Sequence, residues 1–340
     1  MNLSYEKNTT GAPTLTDESD VDSITNILVA NNIQYVILQS CQLLAIPCYL
    51  FLFYHFWKTP TIRKGIDMHV FILIVILNFI TLIGDLSVFL NYIRTNSVWL
   101  HTHSFCLYWM WIDNICYTLG MWLTTWASIE RHILIFHRNL LNTLKQRLIV
   151  HYIPLTFCIA YCCVYSSYLV FGYPCENVFD YTSVLCGSTC AYGDFYLAQY
   201  DTIANSIVTT ILIVLCSISL LFRVLWKRRH YRRGLQWTKI RKMTIQLLSI
   251  SSLYMITTIP VNTEYLTGFV SEDSIAYSYL SNMMYLLYCV LPFVCLTTLP
   301  ELRKKLRICR IHRRNRAVAP TFLFHRGSNT IRTAPSLNKQ

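Results

Sequence analysis

Residues 103–132 read HSFCLYWMWIDNICYTLGMWLTTWASIERH. Cys106 lies near one end, Asp113 two helical turns further in, and Glu130-Arg131-His132 at the other end, with Arg131 25 residues after Cys106. At ~1.5 Å per residue a helix of this length crosses the ~30 Å hydrocarbon core of a bilayer. Six more apolar runs flank it, giving seven at about 33–57, 68–93, 103–132, 148–172, 196–226, 240–268 and 274–299. The composition agrees. Of 340 residues, 54% are hydrophobic and only 14% charged, roughly half the charge of a soluble domain. We therefore expect an all-α membrane protein, a bundle of seven transmembrane helices over 33–299.

An odd number of spans puts the termini on opposite sides, and basic residues say which, because Lys and Arg collect in short cytoplasmic connectors. Connectors 58–67, 133–147 and 227–239 contain Lys58, Arg63, Lys64, Arg138, Lys145, Arg147, Lys227, Arg228, Arg229, Arg232, Arg233 and Lys239. The tail from Arg303 to Lys339 adds eleven more. The opposite connectors, 94–102, 173–195 and 269–273, hold Arg94 beside Glu176, Asp180, Asp194, Glu272 and Asp273. The N-terminal segment 1–32 is then extracellular and the C-terminus cytoplasmic, in the plasma membrane. Sequons at Asn2-Leu3-Ser4 and Asn8-Thr9-Thr10 offer glycosylation sites at Asn2 and Asn8 on the outer side. In the tail, 300–340, Leu302 and Leu306 set among Arg303, Lys304, Lys305 and Arg307 predict a short amphipathic eighth helix over 300–309, lying on anionic membrane lipid. Cys309 just beyond is a candidate for palmitoylation.

Catalytic and cofactor signatures are missing. The chain has no Gly-x-Ser elbow, no His-Glu-x-x-His pair and no phosphate-cradling Gly-x-x-x-x-Gly-Lys loop. Segment 274–299 lacks the Lys that a retinal Schiff base requires. No enzyme activity, catalytic residue, metal or cofactor is expected. The basic tail carries no interleaved aromatics, so nucleic acid is not an expected partner. A transporter or channel with Asp85, Asp113 and Asp201 as its polar pathway stays as the alternative from another class, weakened by the absence of duplicated halves.

Ionisable groups within the slab are costly and so mark function: Asp85, Asp113, Glu130, Arg131, Asp201 and Glu264. With the spacing of Cys106 and Glu130-Arg131-His132, the chain resembles the rhodopsin-like (class A) family of G-protein-coupled receptors over about 33–309. Trp99, seven residues before Cys106, matches the Trp of that family's first outer loop. Asp85 matches its second-helix acid, Pro260 its sixth-helix kink and Pro292 its seventh-helix proline. Several switch positions differ. Thr258 stands for the Trp before the sixth-helix Pro, Leu291 for the Asn before the seventh-helix Pro, and Cys295 for the Tyr after it. The first helix lacks the family's Asn and the fifth its Pro. Gly120 and Leu291, at the positions of the family's sodium partners, have no ligating side chain.

The resemblance implies a receptor for a small extracellular ligand, a cationic amine or a peptide, that activates a heterotrimeric G protein and engages arrestin. A chemosensory ligand other than an amine is the alternative within the family. Asp113 matches the acid that binds a ligand ammonium and Tyr285 the Tyr that bonds that acid, whereas an interhelical hydrogen bond is the plainer role for Asp113. Trp109, Tyr117 and Tyr265 are candidate aromatic walls, and Glu264 a second cation contact or a wet helix end. Glu130 and Arg131 would pair at rest and part to admit the G protein, with His132, Asp85, Pro260 and Pro292 in the switch; a snorkelling Arg is the plainer account of Arg131. Cys106 is expected to be oxidised. Cys175, Cys186 and Cys190 are its possible partners; the resemblance favours Cys106–Cys190, next to the fifth helix, with Cys186 the close competitor.

Overall fold

A computed structural model describes residues 18–60, 65–136, 143–230, 235–267 and 283–298. Among the described residues there is no strand. Long helices follow one another: α1 (Glu18–Lys58), α2 (Ile66–Thr95), α3 (His103–Phe136), α4 (Leu144–Gly172), α5 (residues 195–230), α6 (Leu235–Thr267) and α7 (Met283–Thr298). Five contain stretches long and apolar enough to cross a membrane: Val29–Lys58, Met68–Thr95, Leu144–Gly172, Phe195–Arg223 and Thr244–Thr263. In α3, Asp113, Asn114 and the indoles of Trp109 and Trp111 dilute the apolar content without shortening the helix. The tail helix 300–309, Cys309 and the sequons Asn2 and Asn8 lie outside the described residues.

The polarity runs inside out, as a hydrocarbon solvent requires. Leu43, Leu44, Val164, Leu215, Ile218 and Phe222 face outward, while Gln42, Asn78, Asp85, Asn205 and Asn262 are buried between helices. A polar group buried there is costly unless it is hydrogen-bonded, and several find their partner on a neighbouring helix. Gln42 of α1 donates to the Leu82 carbonyl at 2.7 Å and to Ser87 Oγ at 2.8 Å, tying α1 to α2. A proline inside a helix leaves the carbonyl four residues earlier without its N–H. For Pro292 that carbonyl belongs to Tyr288, and the Tyr49 hydroxyl of α1 donates to it at 2.9 Å. The bond both compensates the kink and fastens α1 to α7.

Two helices contain wide turns. In α4, Leu148–Tyr152 is a π turn just ahead of Pro154. In α5, Asp201–Ile207 is a π turn with no proline, closed by the Val208 N–H on the Ile203 carbonyl. Such bulges reset the facing of a helix, and here Asn205 and Ser206 end up buried.

Candidate functional site

One mouth of the bundle is covered by the connector between α4 and α5. Cys106 is bonded to Cys186, and Cys175 to Cys190, with Cα separations of 5.8 and 6.1 Å. This corrects the Cys106–Cys190 expectation. Leu185, Cys186 and Gly187 all have positive φ, at 55°, 55° and 91°, so the chain doubles back there and sinks Cys186 onto the buried end of α3. Four residues on, Cys190 is tied to Cys175, and its N–H is taken by the Asn177 side chain. Nearness to α5 along the chain was therefore the wrong cue. The Val98 amide donates to the Tyr181 carbonyl at 2.9 Å and the Tyr92 hydroxyl to the Thr182 carbonyl at 2.9 Å, clamping the loop to α2 and to the connector that follows it.

Two carboxylates shape the loop. The hydroxyls of Ser183 and Thr182 and the Thr182 amide hold the Asp180 carboxyl below the usual carboxylate range. Asp194 is lowered likewise by the Tyr173 hydroxyl and the first amides of α5, which it caps. Non-reducing peptide mapping is expected to recover Cys106 linked to Cys186. Cys186→Ser should cost about 2–5 kcal/mol of loop stability, whereas Cys190→Ser should leave the Cys106 bridge in place. Recovery of a Cys106–Cys190 peptide would refute this pairing.

Below the loop, α2, α3 and α7 bring Asp85, Trp109, Asp113 and Tyr285 together. The Trp109 indole N–H donates to Asp85 Oδ1 at 2.9 Å, and both side chains are fully buried. Asp113 and Tyr285 are the other polar neighbours of the Asp85 carboxyl, and Phe89 stacks on the Tyr285 ring at 4.5 Å. Trp109 thus holds Asp85 instead of walling the space around Asp113. Asp113 as a residue is half-buried, with its carboxyl against that of Asp85.

Around these acids runs a polar chain that sequence reading did not find. Ser206 of α5 donates to Asn262 of α6 at 2.5 Å, so Tyr117 of α3 is the donor in its 2.7 Å bond to Ser206; Asn262 donates onward to Thr210. Asn262 stands two residues after Pro260, but an Asn in an apolar run carries no charge to draw attention. Asp201, one of the intramembrane acids, accepts from Tyr192 of the loop at 3.0 Å and from Asn205 at 2.8 Å, while Asn114 of α3 donates to Tyr192. It fastens the loop to α3 and α5. The side chains of Glu264 and Tyr265 lie outside the described residues.

Further along the bundle, Tyr254 of α6 is fully buried and accepts from Asn78 of α2 at 3.2 Å. A Cβ on Gly120 would come within 3.3 Å of its hydroxyl, which explains a glycine there. Thr258 turns its hydroxyl back onto the Tyr254 carbonyl at 2.8 Å. At the far end, Arg131 is buried and lines a small cavity with Glu130, Phe71, Ala127, Gln246 and Ile250. The Glu130 carboxylate pairs with His151 of α4. His151 had gone unnoticed because a histidine at the start of an apolar run counts as neutral. His132 bonds the Cys216 carbonyl of α5 at 2.9 Å.

In comparisons with known proteins, no family model and no curated protein matches the chain.

Proposed function

We propose that the chain is a plasma-membrane receptor of seven spans with its N-terminus outside. It binds a small cationic ligand, an amine or a basic peptide, next to Asp113 and activates a heterotrimeric G protein at the opposite face. The observation that carries this reading is the layout of α3. One helix holds a disulfide-anchored end at Cys106, the acid Asp113 within the bundle, and a buried Arg131 on a cavity between α2, α3 and α6 at the other end. An intramembrane acid beneath the loop is suited to a cation, since a desolvated charge pair discriminates strongly. A buried Arg at the inner mouth suits a switch, because moving α6 would uncover it. A ligand that binds the open state better shifts the balance toward it. The residues give no reason to assign catalysis.

The test is G-protein dissociation in cells displaying the protein, challenged with a panel of biogenic amines and short basic peptides. A response lost in both Asp113→Asn and Arg131→Ala is the expected result. A response that survives Arg131→Ala would overturn the coupling assignment. Silence together with ion flux through the purified protein would favour the transporter or channel reading.

A further inference from the structure

The two bridges of the loop between α4 and α5 differ in access. Cys106 and Cys186 are both fully buried, at 0% exposure. In the other pair Cys175 is exposed and Cys190 half-buried. Exchange requires a thiolate to reach a bridge sulfur, so access decides which bridge opens. Cys175 Sγ offers that access, and the Cys106–Cys186 pair does not.

The exposed bridge holds the stretch 187–194. On one side this stretch starts at Gly187, whose φ of 91° and open surroundings make it a pivot beside the anchored Cys186. Toward residues 173–177 it is tied by the Cys175–Cys190 bond, by the Cys190 N–H on Asn177 Oδ1 at 2.9 Å, and by the Tyr173 hydroxyl on Asp194 Oδ2 at 2.7 Å. Of these ties only the first is covalent. The stretch also carries Tyr192, whose hydroxyl donates to Asp201 Oδ2 at 3.0 Å and accepts from Asn114 at 2.8 Å. Asn114 is the neighbour of Asp113 on α3, and Asp201 opens the π turn of α5. An exposed disulfide thus sets the position of the side chain that joins the loop to both helices.

We propose that Cys175–Cys190 is a thiol-exchange site for small aliphatic thiols, and that opening it releases Tyr192 from Asp201 and Asn114. A thiolate attacks Cys175 Sγ and forms a mixed disulfide there. The bond to Cys190 Sγ breaks with its electron pair on Cys190, which takes up a proton. A second thiolate attacks the sulfur of the first small thiol, and Cys175 leaves as a thiolate that is protonated in turn. Two small thiols are oxidised to one disulfide, the bridge is reduced to two thiols, and the two protons given up end on Cys175 and Cys190. Cys186 stays bonded to Cys106, so the loop keeps its anchor while 187–194 is freed. The described free cysteines all lie on helices, which leaves the opened pair to re-form with itself. That the thiol arrives from outside the cell rests on the orientation proposed above; the difference in access does not.

The test uses the purified full-length protein in lipid nanodiscs, with no ligand and no G protein. Reduced glutathione is raised in steps, free thiols are trapped by alkylation and mapped by mass spectrometry, and hydrogen exchange is followed on the same samples. Cys175 and Cys190 are expected to be alkylated at a thiol concentration at least about tenfold below that which opens Cys106–Cys186. Over the same range amide exchange in 187–207 should quicken about tenfold or more, with 103–110 unchanged. Tyr192→Phe, left oxidised, should reproduce the faster exchange at 201–207, and reduction should then add little there. The double variant Cys175→Ser, Cys190→Ser should show the reduced pattern with no thiol added; if it does not fold, the titration of the wild-type protein decides. Both bridges opening together would overturn the proposal, as would unchanged exchange in 187–207 once Cys175 and Cys190 are alkylated. A silent panel of amines and peptides beside selective opening would remove the receptor reading and keep the exchange site; G-protein coupling beside joint opening does the reverse.

Discussion

Asp113→Asn is expected to weaken the cationic ligand by about 2–5 kcal/mol, or about 30- to several-thousand-fold in affinity, the usual effect of removing one member of a desolvated charge pair. Asp85 cannot take over, because its Oδ1 accepts from the Trp109 indole in the fully buried layer between α2 and α3. Asp113 is the more open of the two acids and so the one that a ligand entering beneath the loop would meet first. Asp113→Glu keeps the charge and should retain part of the affinity. Competition binding with the most potent agonist from the amine and peptide panel measures this, alongside surface display. An Asp113→Asn affinity within about threefold of wild type would show that the ligand is not held by its charge.

Trp109→Ala should be the most destabilising single change in the site. The indole is fully buried, and emptying so large a side chain from a packed interior costs about 3–5 kcal/mol. In a bilayer the cost comes from lost packing and not from exclusion of water, since lipid tails are as apolar as the core. Removing the N–H also leaves the Asp85 oxygen without its donor, a further ~1–3 kcal/mol. Trp109→Phe separates the two contributions: it keeps most of the ring, loses the donor and should incur mainly the second. Thermal unfolding in nanodiscs, followed by near-ultraviolet circular dichroism, reads both variants. If Trp109→Ala melted with wild type, the indole would not be the brace between α2 and α3 that its position indicates.

The membrane-type helical architecture was legible because it rests on local chemistry. Twenty apolar residues in hydrocarbon have to satisfy their own N–H and C=O groups, and a helix does so within the segment. The long apolar stretches of α1, α2, α4, α5 and α6 need no knowledge of their neighbours. Intramembrane acids were legible for the same reason, since a charge in an apolar run stands out whatever it touches. Neutral hydrogen-bonding residues do not stand out. Gln42, Asn78, His151 and Asn262 pass as ordinary members of their runs, although each joins two helices.

Sequence by itself determined which segments are helices suited to a bilayer and which side chains are too costly to be there without a purpose. Tertiary structure alone decided the partners. Cys106 meets Cys186 because three positive-φ residues fold the loop back over α3. The Tyr49 hydroxyl reaches the carbonyl that Pro292 leaves open because α1 lies against α7. Glu130 faces His151, and Trp109 faces Asp85, through the rotation of α3 between its neighbours. Residue spacing sets the stripe on which a side chain sits. What that stripe meets depends on how helices far apart in sequence are turned about their axes, and a rotation of a fraction of a turn exchanges one partner for another.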